Sequence, residues 1–174
     1  MSWSLPFKRG HYWPSNDAGA VPSNILGKTY LDPVNGNLIQ VVKNTDASAL
    51  AGCLVVKWEA ISNYEVDKVT ASGEVKVAGV VDPAYANRGV TVPVNAAFIV
   101  VKRGRTTCIA GAVTAVGGVL ITDAGASNAV EGRVQNGLIS QSAAAAGDGP
   151  MRIFGVTYES GNAADSVTCM VNIP

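Results

Sequence analysis

His11 and three cysteines, Cys53, Cys108 and Cys169, are the imidazole and thiol groups of this chain. A hydrolytic triad needs a base beside its nucleophile, and a structural zinc needs four nitrogen or sulfur ligands. His11 has no Cys or Asp cluster around it, so it reads as structural or exposed rather than as a ligand. The cysteines are odd in number, widely spaced and set in apolar runs without a CxxC pair. They read as buried free thiols. The thirteen acidic residues are scattered, and aromatic residues make up only 6% of the chain. A two-carboxylate glycosidase with an aromatic sugar cleft is therefore not indicated. Asp82 and Glu159 each follow a Gly-Val run, and both read as the first residues of polar loops. Gly147-Asp-Gly149 leads into Pro150 and not into a helix with a lysine, so no phosphate loop is expected. The expectation is a protein that is not an enzyme, with no catalytic residue, cofactor or metal.

The elements that would position any site are short. Runs of Val, Ile, Ala and Thr are broken about every ten residues by Gly, Pro, Asn and Asp, most clearly from Gly73 to Asp123. That rhythm belongs to an all-β fold, a small barrel or sandwich of short antiparallel strands. Asn35-Gly36 predicts a hairpin joining strands at 28–32 and 38–43. Residues 46–61 carry apolar positions at helical spacing, but Gly52 and the β-rich CLVVKW run favour a strand at 53–58. Further strands are expected at 63–70, 74–81, 97–102, 106–110, 119–122, 132–134, 152–158 and 166–173. Pro93 reduces 90–94 to an edge or short piece. Lys102, Arg103 and Arg105 around Gly104 read as the solvated tip of a hairpin. Residues 141–150 read as a surface loop. Gly79-Val-Val and Gly155-Val-Thr form a weak internal echo, with a glycine inside a strand each time. Such glycines mark close backbone approach or a sharp bend.

Composition narrows the partners. Charged residues are 15% of the chain and the formal net charge is zero, which gives no basic patch for nucleic acid. No apolar run approaches the roughly 20 residues needed to span a bilayer, so no membrane contact is expected. The first residues lack the apolar core of a signal peptide, which points to synthesis in a cytoplasm. A small-residue-rich, weakly charged chain suits a protein packed against neighbours. Residues 1–26 differ from the rest: Trp3, Phe7, Tyr12 and Trp13 are interleaved with Pro6, Pro14 and Pro22. Two readings stand. The segment either folds back over the domain 27–174, or is an extended arm whose aromatic residues anchor on another subunit.

The order of the short runs along residues 38–174 carries a resemblance. It comprises Leu50-Ala-Gly52 and Val55-Val-Lys-Trp58, then Val77-Ala-Gly-Val-Val81, then Val92-Pro-Val94 leading to Phe98-Ile-Val-Val-Lys-Arg-Gly104. Ala112-Val-Thr-Ala115, Leu120-Ile-Thr-Asp123, Ile153-Phe-Gly-Val-Thr-Tyr-Glu159 and Val167-Thr-Cys-Met-Val-Asn-Ile173 complete it. The series resembles bacteriophage head decoration (cement) proteins of the β-tulip type, broadly similar to the lambda head-stabilising protein. The resemblance implies a small β-barrel-like domain, often a homotrimer, on the capsid surface of a virion. Its partner would be the phage major capsid protein, and its task stabilisation of the expanded head. On that reading Trp3, Phe7, Tyr12 and Trp13 of the arm contact the capsid. The other reading is a host-surface or carbohydrate-binding module of a virion fibre or spike. Trp58 with Tyr64 is its one hint, and that pair reads more simply as core.

Overall fold

The structure is a computed structural model, described here for residues 5–14, 24–70, 76–111, 114–123, 133–136 and 155–174. Ten strands form one continuous sheet: β1 Thr29–Leu31, β2 Leu38–Asn44, β3 Val55–Ala60, β4 Glu65–Lys68, β5 Val77–Val81, β6 Ala97–Ile109, β7 Val119–Asp123, β8 Arg133–Asn136, β9 Gly155–Thr157 and β10 Ser166–Asn172. One helix, α1 Pro83–Asn87, and a 3-10 turn at Ile61–Asn63 are the helical pieces among the described residues. The all-β expectation and the small barrel are borne out.

The first half closes on itself. β2, β4, β3, β5 and β6 are hydrogen-bonded in that order, and β2 also pairs with β6. All these ladders are antiparallel except β2–β4, which is parallel. The result is a five-stranded barrel with β1 paired outside β2. The narrow interior of so small a barrel is filled by small and β-branched residues. All five residues of β5 are buried, as are Ala97–Lys102 of β6.

The second half grows from the far end of β6. There β10, β9, β7 and β8 follow in order, and an isolated parallel bridge between Ala110 and Val134 brings β8 back towards the end of β6. Val167, Cys169 and Val171 of β10 point inward with Cys108, Leu120 and Val134, and this interior is continuous with that of the barrel. The antiparallel pairing of β9 with β10 is the closing pair expected from sequence.

The hairpin expected at Arg103-Gly104-Arg105 does not form. β6 runs unbroken for 13 residues. Its first part pairs with β2 and β5, and the part from Arg103 onward pairs with β10. Gly104 has φ +116°, so the glycine bends a strand between two sheets instead of turning it back. A Cβ at Gly104 would lie 2.0 Å from Asn37 Oδ1. Lys102 is buried rather than solvated; its ammonium reaches the Pro174 carbonyl and lies 5.3 Å from the centre of the Trp58 ring. Arg103 and Arg105 are exposed. The echoed glycines are both tight: a Cβ on Gly79 would meet Val100 Cβ at 2.7 Å, and one on Gly155 would meet the Met170 carbonyl oxygen at 2.4 Å. Residues 90–94 contribute one bridge, Val92 to Leu50. The loop expected at 141–150 lies outside the described residues.

Candidate functional site

The aromatic segment and the far side of the first barrel meet around one guanidinium. Arg9 donates from Nε and Nη2 to the two carboxylate oxygens of Asp82, at 2.6 and 2.7 Å, and from Nη1 to Asp32 Oδ2 at 2.9 Å. Both carboxylates are buried. Burial alone would lower the Arg9 pKa, but the hydrogen bonds and charges of Asp82 and then Asp32 outweigh it, and the net shift is upward. Such a bidentate pair is the geometry at which arginine excels.

Local sequence explains why those acids face Arg9. Asp82-Pro83 is a helix start: Asp82 Oδ1 accepts from the Ala84 N–H at 2.9 Å, and Pro83 occupies the first helical turn, where its missing N–H costs nothing. The reading of Asp82 as the first residue of a polar loop is corrected accordingly: it is a buried helix cap. Glu159 accepts from the Thr168 N–H at 3.0 Å and is exposed, so the two acids share no site. Asp32 sits in the β1–β2 turn, where its Oδ1 accepts from Val34 N–H at 2.9 Å.

Three further contacts hold residues 5–14 on the body. The Tyr85 hydroxyl donates to the His11 carbonyl at 2.6 Å and accepts from the Ile99 N–H at 3.0 Å. Burial pushes that phenol well above its ordinary pKa, so it is neutral and able to donate. Arg88 Nη1 donates to the Gly10 carbonyl at 3.0 Å. Trp13 and Ala97 exchange backbone hydrogen bonds of 2.9 and 3.0 Å. Phe7 packs edge-on against Trp13 and Tyr30, with ring centres 5.4 and 5.1 Å apart. Phe7, Tyr12 and Trp13 are all half-buried against the core. Trp3 lies outside the described residues. His11 is exposed, its ring edge-on to Trp13.

Two shallow depressions flank Phe7. One, of about 410 Å³, is lined by Leu5, Phe7, Arg9, Asp32, Pro33, Val34 and Asn35. The other, of about 450 Å³, is lined by Pro6, Phe7, Lys8, His11, Trp13, Asn24 and Ile25. Beside the first, Val34 is 91% exposed and Leu31 is exposed as well. A third, polar cleft of about 340 Å³ opens between α1, the β1–β2 turn and β6; Arg9, Asn37, Asp82 and Arg105 are among its lining residues.

The thiols are free and buried, as expected. Cys108 and Cys169 stand with their sulfurs 3.0 Å apart. Among the described residues no group of three or more His, Cys, Asp or Glu is placed to hold a metal. Trp58 packs against the core as expected, whereas Tyr64 is exposed, its ring lying over Gly27. Sequence reasoning missed α1, and with it Tyr85 and the Arg9 knot. Asp-Pro before Ala-Tyr-Ala-Asn carried the signal for that helix.

No protein-family model matches the chain, and no curated protein matches it. Among solved structures it is similar to the N-terminal base of the head fibre protein gp8.5 of bacteriophage phi29, with 16% identity and a TM-score of 0.45 over 77% of this chain and 94% of that one.

Proposed function

We propose that this chain is a structural protein of a phage virion, one that binds the outer surface of the major capsid lattice and stabilises the expanded head. The observation that carries the reading is the apolar ground where the N-terminal segment crosses the β1–β2 turn. Leu5, Phe7, Pro33 and Val34 line one depression there, with Leu31 exposed alongside. The ordered series of β motifs that resembles decoration proteins supports it from the side of sequence. Binding of this kind needs no chemistry. It adds buried area across capsid joints, and repeated copies, as homotrimers around three-fold positions, convert modest contacts into avidity. Within the proposal Phe7, Tyr12 and Trp13, together with Trp3, carry contact energy, with about 2 kcal/mol or more from each true anchor. Three of them already rest against the barrel, so little conformational freedom would be lost on docking.

The test is sedimentation with expanded heads that lack this protein. Saturable co-sedimentation near one copy per capsid subunit, with a gain in the heat resistance of the heads, is the expected outcome. Val34→Glu should abolish binding while leaving the melting temperature nearly unchanged, because the side chain is 91% exposed. Absence of binding to heads would sink the proposal.

A further inference from the structure

We infer that Cys108 and Cys169 form a reversible cross-strand disulfide site, oxidised by small-molecule disulfides, whose bond fastens the second half of the molecule. The inference does not depend on the capsid reading.

The β6–β10 ladder places the pair. Cys108 lies opposite Val167 and Cys169 opposite Thr106, so the two thiols are diagonal neighbours on the inward face of paired strands. Their sulfurs stand 3.0 Å apart, and a disulfide needs about 2.05 Å. An approach of about 1 Å, shared between two side chains, closes that gap. In the reduced form the Cys169 thiol reaches the Thr106 carbonyl at 3.6 Å, a weak contact whose loss costs little. Cys53 is buried as well but makes no sulfur contact of this kind among the described residues.

What the bond joins decides its effect. The two cysteines are 61 positions apart, and the chain between them carries β7, β8 and β9. One bond would therefore close these three strands into a single covalent loop. A cross-link over so long a loop takes freedom from the unfolded chain and stabilises the folded one. Among the described residues β8 returns to the end of β6 through one isolated bridge. Covalent closure would supply there what backbone hydrogen bonds supply sparsely.

Both cysteines are fully enclosed, so the oxidant meets them when this half opens. With glutathione disulfide as oxidant, one cysteine gives up its proton and attacks a glutathione sulfur. The expelled glutathione thiolate takes up that proton. The second cysteine attacks the protein sulfur of the mixed disulfide in the same way, and the Cys108–Cys169 bond forms as the second glutathione leaves. The two cysteines lose two electrons and the glutathione disulfide gains them, with no net release of protons.

The experiment incubates the reduced full chain in low urea with glutathione buffers running from fully reduced to fully oxidised, then traps free thiols by alkylation. The free thiols should fall from the three of the sequence to one. The mass should drop by two hydrogens, and the digest should contain a Cys108–Cys169 peptide. Freed of urea, the oxidised protein should melt roughly 10 °C above the reduced one, and dithiothreitol should restore the starting state. Cys53→Ala should form the same bond and retain no free thiol. Three free thiols in the fully oxidised buffer would overturn the inference. So would a lasting glutathione adduct in place of the bond, a bond through Cys53 or between molecules, or an oxidised form that melts no higher than the reduced one.

Discussion

The two halves of the molecule close their sheets with the same device at different strengths. In the first barrel β2 and β4 lie parallel, with Lys43 opposite Glu65 and Asn44 opposite Val66. Side chains fasten that seam: Thr45 Oγ1 donates to Asp67 Oδ1 at 2.9 Å, and Asp46 Oδ2 accepts from the Lys68 N–H at 3.1 Å. In the second half the parallel contact among the described residues is a single bridge from Ala110 to Val134, with Gly111 N–H donating to the Val134 carbonyl. The first barrel is also capped, by α1 and by residues 5–14 locked through Arg9, and its interior holds Tyr85 and Phe98. Among the described residues the second interior is lined by Cys108, Ala110, Leu120, Val134, Val167, Cys169 and Val171. Loop closure costs entropy whether one bond or five reward it. On the contacts of the described residues the well-fastened barrel should therefore open at a higher free energy than the second half, which joins it through β6.

The sharpest way to break the comparison is at the bend that joins them. Gly104→Ala forces a side chain onto a φ of +116° and sets its Cβ 2.0 Å from Asn37 Oδ1. Strain and collision together should cost about 3 kcal/mol or more, a fall of roughly 6–12 °C in melting temperature. Calorimetry should show the loss, with the transition splitting in two if the halves uncouple. A variant melting within a degree of the parent would show that β6 does not need this bend.

The same residue shows where sequence reasoning reached its limit. A glycine flanked by charges reads equally well as a hairpin tip or as a bend within a strand. Only the partner strands, far away in sequence, decide between them. The Asn35-Gly36 hairpin, the β9–β10 pair and the buried thiols were legible because their signals are local: turn chemistry, alternation and apolar context. The Arg9 knot was not, since it joins residues 23 and 73 positions apart, and neither carboxylate stands out within its own stretch. The aromatic segment was legible as unusual. Its seat against Tyr30 and Ala97 was one of two readings that composition left open.

Thiol labelling sharpens the comparison without altering either half. Burial first, then the charges of Asp82 and Cys169, push the Cys53 thiol up to about 11. The contact with Cys169, and then burial, push Cys108 up as well. A thiol with a raised pKa is a poor nucleophile at neutral pH and reacts after the structure around it opens. In low urea, Cys108 and Cys169 of the second half should therefore label ahead of Cys53 in the first barrel. A rate ratio of about tenfold would correspond to a difference of ~1.4 kcal/mol in opening free energy. Equal rates, read by mass spectrometry of the labelled peptides, would mean that the two halves open as one.

The smallest effect tests the fastening of the first seam. Burial alone would raise the Asp46 pKa, but the Lys68 N–H, the hydroxyl and N–H of Ser48 and the charge of Lys68 outweigh it, and the net shift is downward. A carboxylate held below its unfolded value, about 4, adds stability that is fully present above that value. The contribution is lost as pH falls through the folded value. Asp46→Asn should cost about 1 kcal/mol at pH 7, the worth of weakened hydrogen bonds to one group. The gap between variant and parent should close in urea titrations carried down to pH 2, because the protonated acid loses the same advantage. A gap that persists unchanged at pH 2 would assign the cost to packing and leave the parallel seam without its electrostatic fastening.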